Sequence, residues 1–334
     1  LVIVISTAFL LWFNVPGLTK TLFSDGSQSS AVSEAVQPTD VALPNSGVGM
    51  FDSEDERAVL EAFYLSTDGG NWVDASGWLS DQSVCSWYGV TCVAGAVSKL
   101  ELADNHLNGP FPENLSDLSN LITLDLHGNS LSGEIPAGLG DLQNLMRLDL
   151  SFNKLNGSIP PELGKLKNLV YLVLNGNHML SGPIPPELGN LSSLNDLMLS
   201  SYEGGTQLSG TIPVELSNLT KLTYLEVSNS LVTGPVPPEL GNLTNLIYLD
   251  LTHSPLSGAL PAEIGDLTNL QYFHIGEGRN SLYGSLPLNM MNWKKMRSLQ
   301  FNGTDICEPS DPAFQAWLEG IQELYRTHIL CPAN

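Results

Sequence analysis

The chain has 334 residues, with 35 Asp and Glu against 13 Lys and Arg, which gives a formal net charge of −22. This balance excludes nucleic-acid binding, because contact with phosphates needs clustered basic side chains. Hydrophobic residues make up 42% of the chain and charged residues 14%. Such a composition is too apolar for a disordered acidic tail and too polar for a protein that crosses a membrane many times.

Residues 1–19 carry no charged side chain, and Leu1 to Phe13 are almost wholly apolar. The run fits the apolar region of a signal peptide, which spans about 7–15 residues. It also fits the outer part of a membrane anchor, which needs about 20 residues. Because the chain begins with Leu, we expect its N-terminus to be incomplete, and we favour the anchor. Residues 20–50 are rich in Ser, Val, Ala, Gly and Pro without periodicity, which predicts a flexible linker.

An amphipathic helix is predicted just after the linker. Ser53 and Glu56 have the spacing of a capping box, and the helix would continue to about Ser66. Its apolar side would consist of Val59, Leu60, Phe63 and Tyr64.

The four cysteines fall into two local pairs, Cys85 with Cys92 and Cys307 with Cys331. A zinc site would need four converging ligands, and neither pair has a second pair nearby in the sequence. Two disulfides that each close a short loop fit better, and they indicate an oxidising, extracellular-type compartment. Six Asn-x-Ser/Thr sequons agree with this compartment and are candidate glycosylation sites: Asn114, Asn156, Asn190, Asn218, Asn242 and Asn302.

Residues 97–306 repeat one pattern, and this pattern determines the predicted fold. Eight complete copies begin near Val97, Ser119, Gln143, Lys167, Ser192, Thr220, Thr244 and Thr268, and a ninth, partial copy begins at Lys294. A leucine-bearing period of about 20–29 residues is typical of a leucine-rich repeat solenoid. We therefore expect an α/β solenoid, a right-handed superhelix with a concave parallel β-sheet and about nine repeats.

Each repeat has a simple physical interpretation, shown by the second copy. Alternation in Leu124-Asp125-Leu126 directs both leucines into the core and the carboxylate to the opposite face. Asn129 follows at a turn, where its amide can satisfy backbone groups of the turn and of the next coil. Since one coil cannot bury its leucines alone, stacked coils must share one continuous core.

The open ends of such a stack need covers. Residues 51–96 are predicted to form an N-terminal cap and residues 307–334 a C-terminal cap. In the second cap, Pro312 to His328 is predicted as a helix pinned by the Cys307–Cys331 bridge. Its apolar residues at helical spacing are Phe314, Trp317, Leu318, Ile321 and Leu324.

The sequence resembles a known family in two motifs. The element Leu131-Ser-Gly133-Glu-Ile-Pro136 looks like the plant-type leucine-rich repeat, and Cys85-Ser-Trp87-Tyr-Gly89-Val-Thr-Cys92 resembles the N-terminal cap of that class. The class includes receptor-like kinase ectodomains and polygalacturonase-inhibiting proteins. The resemblance covers about Asp52 to Cys331 and implies the fold. It does not imply one class of ligand, because the family binds peptides, steroids, glycans and other proteins.

The pattern is broken at several places. The asparagine column Asn105, Asn129, Asn153 and Asn177 is followed at the equivalent positions by Tyr202, Ser230, Ser254, Gly278 and Thr304. Three repeats also carry insertions after the strand, near His178-Met179, within Tyr202 to Gln207 and near Glu277-Gly-Arg279. Because they share one repeat position, the insertions should lie on one rim, which is often a binding face. Simple drift would explain them equally well.

The outward strand positions should form columns, because adjacent strands lie about 4.8 Å apart. One column consists of Glu101, Asp125, Asp149, Val173, Met198, Glu226, Asp250, His274 and Gln300. Its neighbour consists of Lys99, Thr123, Arg147, Tyr171, Asp196, Tyr224, Tyr248, Tyr272 and Ser298. Exposed aromatic side chains are enriched at binding hot spots, although tyrosine also has good β propensity on a solvated sheet. The predicted ligand contacts are Tyr171, Tyr224, Tyr248, Tyr272, Glu226, Asp250, His274 and the rim residue Tyr202.

Metal binding and catalysis are disfavoured on this face. The residues Glu226, Asp250, His253 and His274 could supply metal ligands, but a flat sheet gives poor enclosure and no second shell. Asp125 with Asp149 could act as an acid/base pair, and His127, Ser151 and Asp149 resemble a triad. An open solenoid face offers no water-excluding pocket, however, and no nucleophile elbow or phosphate loop is present. We expect no enzyme and no cofactor.

The expected function is recognition of a protein or peptide at the concave face and the insertion-bearing rim, by a receptor-like protein without a kinase. The acidic column favours a ligand with basic groups. A co-receptor or a cell-wall hydrolase is a further possible partner. The alternatives are a secreted inhibitor of such a hydrolase, as the resemblance implies, and a structural cell-surface protein. The location would be the outer side of the plasma membrane or the cell wall, with membrane contact only through residues 1–19.

Overall fold

The computed structural model describes residues 54–201 and 204–332, which form a solenoid of stacked coils. Each coil contributes one short strand to a main sheet and returns through a 3-10 helix on the opposite side. The predicted leucine-rich repeat solenoid with a parallel sheet is therefore confirmed. The predicted anchor and linker, the Ser53 half of the capping box, and Tyr202 lie outside the described residues.

Among the described residues the main sheet has eleven strands, and its pairs are parallel except for the first, β1 with β2. With strands numbered in chain order, it contains β1 (Val90–Val93), β2 (Ala96–Glu101), β4 (Thr123–Asp125), β6 (Arg147–Asp149), β8 (Tyr171–Val173), β10 (Asp196–Met198), β12 (Tyr224–Glu226), β13 (Tyr248–Asp250), β15 (Tyr272–His274), β17 (Ser298–Gln300) and β19 (Glu323–Tyr325).

Two smaller parallel sheets follow the turns of the coils. The first contains β3 (Asn108–Pro110), β5 (Ser130–Glu134), β7 (Lys154–Ser158), β9 (Met179–Pro183) and β11 (Gln207–Ser209). The second contains β14 (Ser257–Ala259), β16 (Ser281–Ser285) and β18 (Asp305–Cys307). The 3-10 helices of the repeats are Glu113–Asp117, Ala137–Asp141, Pro161–Lys165, Pro186–Asn190, Val214–Asn218, Pro238–Asn242, Ala262–Asp266 and Leu288–Asn292.

The leucines of successive coils share one core, as their period requires. Leu124 and Leu126 from the sheet side and Leu139 and Leu142 from the 3-10 side are all fully buried. The turns between these sides have their own constraints. Gly133 has a φ of +86°, a left-handed conformation that favours glycine. A Cβ at Gly140 would collide with the carbonyl oxygen of Glu162 in the following coil, so glycine also permits close stacking there.

The asparagine column bonds each coil to the one before it. Asn129 Nδ2 donates to the carbonyl oxygens of Leu102, Leu126 and His127, at 2.8, 2.9 and 3.1 Å. Its Oδ1 accepts from the backbone N–H groups of Asn105 and Leu107, at 3.1 and 2.9 Å. The expected contact with the turn is present, but the other partners belong to the preceding coil and not to the next. One buried amide thus satisfies five backbone groups.

Hydroxyl groups replace the amide where the asparagines end. Ser254 Oγ donates to the Val227 and Thr252 carbonyl oxygens, and Thr304 Oγ1 donates to that of Phe301. In the coils with longer insertions, Thr206 and Asn280 accept from the backbone N–H two residues later. The expectation that Gly278 takes the asparagine position is therefore incomplete, because Asn280 supplies the side-chain acceptor after the insertion.

The N-terminal end of the core is covered by α1 (Glu54–Ser66) and an aromatic cluster. Phe63 lies 5.7 Å from Trp72 and 6.3 Å from Trp78, and Trp78 lies 5.0 Å from Trp87, between ring centroids. Glu56 is buried and accepts from the Val97 backbone N–H at the edge of β2. The predicted bond between Cys85 and Cys92 is present beside this cluster.

The C-terminal end is covered by α2 (Pro312–Glu319), which is shorter than the predicted helix. Asp311 caps its N-terminus by accepting from the N–H groups of Ala313 and Phe314, both at 2.9 Å. Gly320 ends the helix, and the following residues form β19, which pairs with β17. β19 thereby pairs hydrogen-bonding groups of β17 that would otherwise form an open sheet edge. The predicted Cys307–Cys331 disulfide is present.

Within the described residues, no helix has both the length and the apolar character needed to cross a membrane.

We predict that Asn129→Ala destabilises the protein by about 3 kcal/mol, because it leaves several buried backbone groups without partners. The matched control is Asn144→Ala, which removes an exposed amide with a single bond to the Ser119 carbonyl oxygen, and its cost should stay below about 1 kcal/mol. Urea unfolding followed by circular dichroism measures both variants. Equal losses for the two variants would contradict the proposed role of the buried column.

Candidate functional site

The candidate site is the outer face of the main sheet, where strand register places equivalent residues side by side. Tyr224 pairs with Tyr248 and Tyr248 with Tyr272 across β12, β13 and β15. Two residues further along, Glu226, Asp250 and His274 are paired in the same way. The structure therefore brings together six of the eight predicted contact residues, and Tyr171 lies on β8, two strands before β12.

The tyrosines form a stacked ladder. The rings of Tyr224 and Tyr248 are parallel, with centroids 4.2 Å apart and an interplanar angle of 2°. Tyr248 and Tyr272 lie 5.8 Å apart at 37°. Because each ring covers the next, Tyr248 and Tyr272 are only 8% exposed, whereas Tyr171 and Tyr224 are half-buried. The expectation of an exposed ladder is thus wrong for Tyr248 and Tyr272.

The acidic residues next to the ladder are also buried. Glu226 Oε1 accepts from Ser200 Oγ at 2.5 Å, and Tyr224 donates to Oε2 at 3.4 Å. Asp250 accepts from the Thr252 N–H and hydroxyl, at 2.9 and 2.8 Å, and from the Tyr248 hydroxyl at 3.3 Å. Burial and the charge of Asp250 raise the pKa of Tyr248 well above its ordinary value. Tyr248 therefore remains a hydroxyl donor at physiological pH.

His274 and His253, which lie near the tyrosine ladder in the sequence pattern, are in separate environments. His274 is buried, with Nε2 2.9 Å from Ser298 Oγ, and burial lowers its pKa. His253 lies on the rim, where Nε2 is 3.1 Å from Oε2 of Glu277. The insertion at Glu277 is thereby tied to the preceding coil.

A third, charged cluster lies in the first half of the sheet. His127 Nδ1 is 2.7 Å from Asp125 Oδ1, and Arg147 reaches Asp125 at 3.4 Å and Asp149 at 2.7 Å. Ser151 Oγ donates to Asp149 at 2.6 Å. His127 and Ser151 thus bond to different carboxylates, so His127, Ser151 and Asp149 do not form the Ser–His–Asp relay considered from the sequence.

Three side chains of this cluster could together ligate a metal ion. One donor atom each from Asp125, His127 and Asp149 lies within 4.8 Å of the others. This group differs from the metal site considered from the sequence, which consisted of Glu226, Asp250, His253 and His274. Arg147 already forms ion pairs with both carboxylates of this group. The sequence placed Arg147 in a column but did not identify this bridging role, which depends on a contact between the neighbouring strands β4 and β6.

The pKa values of the cluster reflect competing effects. Burial lowers the pKa of His127, but its bond to Asp125 and the charges of Asp125, Asp149 and Asp104 outweigh this and raise it. Burial raises the pKa of Asp125, but the hydrogen bond with His127 and the charges of His127 and Arg147 outweigh burial, so this pKa is lowered overall. For Asp149, burial and the nearby charge of Asp125 raise the pKa despite Arg147 and Ser151.

The rim and the sequons complete the predicted site residues. His178 Nδ1 lies 2.6 Å from Ser201 Oγ, and the adjacent Met179 is exposed. Asn190, Asn218 and Asn242 are exposed at the last position of successive 3-10 helices, whereas Asn114, Asn156 and Asn302 are half-buried. The amide of Asn302 donates to Glu277 at 3.0 Å.

We predict that His127 has a pKa above its ordinary value of 6.5, measurable from its imidazole proton shifts between pH 5.5 and 8.5. A raised pKa in the folded state means that protonation stabilises the fold. This stabilisation is complete below about pH 6.5 and is lost as pH rises through the folded pKa. The melting temperature of the wild type relative to His127→Gln should therefore fall across this window. A pKa at or below the ordinary value would contradict the cluster geometry.

The family models agree with the fold. A leucine-rich repeat N-terminal domain matches residues 53–93, a leucine-rich repeat region matches residues 97–234, and a single leucine-rich repeat matches residues 245–267. No curated protein sequence matches the chain.

Several solved structures are similar. The ectodomain of the Arabidopsis thaliana receptor kinase GASSHO1/SCHENGEN3, in complex with CASPARIAN STRIP INTEGRITY FACTOR 2, is 32% identical over 78% of this chain and 34% of its own, with a TM-score of 0.66. The plant peptide hormone receptor RGFR1 with RGF2 is 31% identical over 72% of this chain and 44% of its own, with a TM-score of 0.64.

The Arabidopsis receptor kinase HAESA, in complex with the peptide hormone IDA and the co-receptor SERK1, is 32% identical over 77% of this chain and 47% of its own, with a TM-score of 0.62. The chain thus spans about a third to a half of the length of these receptor chains. The repeats, the two caps and these similarities show that the chain belongs to the plant-type leucine-rich repeat proteins.

Proposed function

We propose that this protein recognises an extracellular peptide or protein with a basic group, through the outer face of the main sheet and the adjoining rim. Its role is binding and not catalysis. The proposed contacts are those of the tyrosine ladder and its neighbours: Tyr171, Tyr224, Tyr248, Tyr272, Glu226, Asp250, His274 and Tyr202.

The observation that carries the proposal is the environment of Asp250. This side chain is 2% exposed, yet no basic side chain in the described part of the chain forms an ion pair with it. Asp149, at the equivalent position four strands earlier in the main sheet, is paired with Arg147. A buried carboxylate is costly without a counter-charge. A Lys, Arg or N-terminal amine of a ligand would supply that charge.

The ladder provides the contact area around this charge. Stacked tyrosines lose little side-chain entropy on binding, since their rings are already fixed by one another. The Tyr248 hydroxyl donates to Asp250 and stays protonated, so it can hold the carboxylate in place for an incoming cation. The half-buried rings of Tyr171 and Tyr224 are the parts of the ladder that a ligand reaches first.

The similar structures support a peptide or protein as the ligand. GASSHO1/SCHENGEN3, RGFR1 and HAESA are each found in complex with such a molecule, and HAESA also with a co-receptor. We extend this class of ligand to the present chain, and a co-receptor is the partner that would pass a signal inward.

An extracellular location agrees with the two disulfides, which persist in oxidising compartments. We propose that residues 1–19 determine whether the protein is tethered or secreted. Glycans at the exposed Asn190, Asn218 and Asn242 would cover the side opposite the main sheet and leave the proposed site open.

We predict that Asp250→Asn weakens ligand binding at least about 30-fold, because removing one partner of a desolvated ion pair typically costs 2 kcal/mol or more. The full chain, produced in a secretory host, would capture peptides and proteins from extracellular extract, and mass spectrometry would identify them. Calorimetry with the purified ligand then gives the affinity of each variant.

The matched control is Asp266→Asn, which removes an exposed carboxylate from a 3-10 helix on the opposite side and should leave the affinity unchanged. Circular dichroism must show that both variants are folded. If the captured ligand binds Asp250→Asn as well as wild type, the proposed site is wrong. A captured cell-wall hydrolase would instead favour an inhibitor.

A further inference from the structure

We propose that a second surface of this protein, separate from the tyrosine ladder, binds an acidic polysaccharide that carries uronate carboxylates. The surface is a groove at the N-terminal edge of the main-sheet strands, with a volume of about 410 Å³. It is lined by Asn195, Lys221, Thr223, Asn245, Ile247, Asn269, Gln271 and Lys295. We call it the edge groove.

The lining residues form two columns set by the repeat. The first column consists of the residues three positions before the start of β12, β13, β15 and β17, which are Lys221, Asn245, Asn269 and Lys295. These strands are consecutive neighbours, so the two lysines are about 14 Å apart at three strand spacings. Such a span fits a linear oligomer better than one small anion.

The second column lies one residue before each strand and is held rigidly by the backbone. The Thr223 carbonyl oxygen accepts from the N–H groups of Ile247 and Tyr248, and the Ile247 carbonyl oxygen accepts from those of Gln271 and Tyr272. Because these bonds fix the groove wall, a ligand would bind a preformed surface and lose little affinity to ordering.

The amides of the first column are held in a repeating orientation. Asn245 Nδ2 donates to the Thr220 carbonyl oxygen and Asn269 Nδ2 to that of Thr244, both at 2.8 Å. Lys295 Nζ donates to Asn269 Oδ1 at 2.7 Å, which joins two neighbouring side chains of the column. An amide both donates and accepts, and it therefore complements the hydroxyl groups of a sugar.

The charge of the groove is opposite to that of the whole molecule. Lys221 and Lys295 are exposed, and neither pairs with a carboxylate in the described residues, although the protein has a net charge of −22. Arg297 is also exposed and continues the second column beyond Gln271. Asp196 lies at the other end, where Thr223 donates to it at 3.0 Å. Because Asp196 lies beyond Lys221, the anionic groups of a ligand are expected between Lys221 and Lys295.

The lining favours a saccharide over an acidic peptide. Ile247 is its one apolar residue, whereas protein and peptide ligands are usually anchored by apolar or aromatic side chains in desolvated pockets. Carboxylates evenly spaced along a hydroxyl-rich chain match lysines at the ends and amides between them. This assignment does not depend on the peptide site proposed above, since no residue is shared.

The test is calorimetry of the full chain with a linear galacturonate tetramer, its methyl ester and tetraglutamate. We expect the galacturonate to bind, the neutral ester to bind at least about tenfold more weakly, and Lys295→Gln and Lys221→Gln each to reduce affinity by about tenfold. Binding should weaken from 50 to 200 mM salt, as it does for exposed charges.

Lys154→Gln is the matched control, because Lys154 is exposed on another sheet, and it should leave galacturonate binding unchanged. Asp250→Asn should also bind galacturonate normally, which separates this site from the tyrosine ladder. The proposal is overturned if the tetramer does not bind, if the methyl ester binds equally well, if tetraglutamate binds as tightly, or if both lysine variants behave like Lys154→Gln.

Discussion

The structure depends on one constraint: a single coil cannot bury its own leucines, so every coil must stack closely on the next. Close stacking brings backbone groups of neighbouring coils together in the core, where each must find a partner. Asn129 meets this requirement with five hydrogen bonds that join its turn to the preceding coil. Where asparagine is absent, as at Ser254 and Thr304, hydroxyl groups satisfy fewer of the same carbonyl oxygens.

The same stacking places outward residues in columns about 4.8 Å apart, which strongly couples their electrostatics. In the first half of the main sheet the column contains its own cation, because Arg147 bridges Asp125 and Asp149. In the second half, Asp250 has hydroxyl and N–H partners but no ion pair within the described residues. One repeated scaffold thus carries a region with ion pairs of its own and a region suited to a cationic ligand.

A solenoid also offers more than one surface for recognition, because each repeat position generates its own column. The positions on the strands carry tyrosines and carboxylates, whereas the positions just before them carry amides and lysines. The two surfaces have opposite charge preferences and share no residue. A protein with such an arrangement could bind a polysaccharide matrix at the edge groove while a peptide occupies the tyrosine ladder.

The sequence by itself determined the solenoid, the leucine core, both disulfides and the columns to which the outward residues belong, because these follow from the period and from local spacing. Only the tertiary structure decided what each outward residue contacts. Tyr248 is covered by Tyr224 and Tyr272, the α2 helix ends at Glu319 so that β19 can pair with β17, and Asn129 bonds backward and not forward. A period specifies the face of a residue, but its exposure, charge partners and pKa depend on side chains from neighbouring coils, which lie more than twenty residues away in the chain.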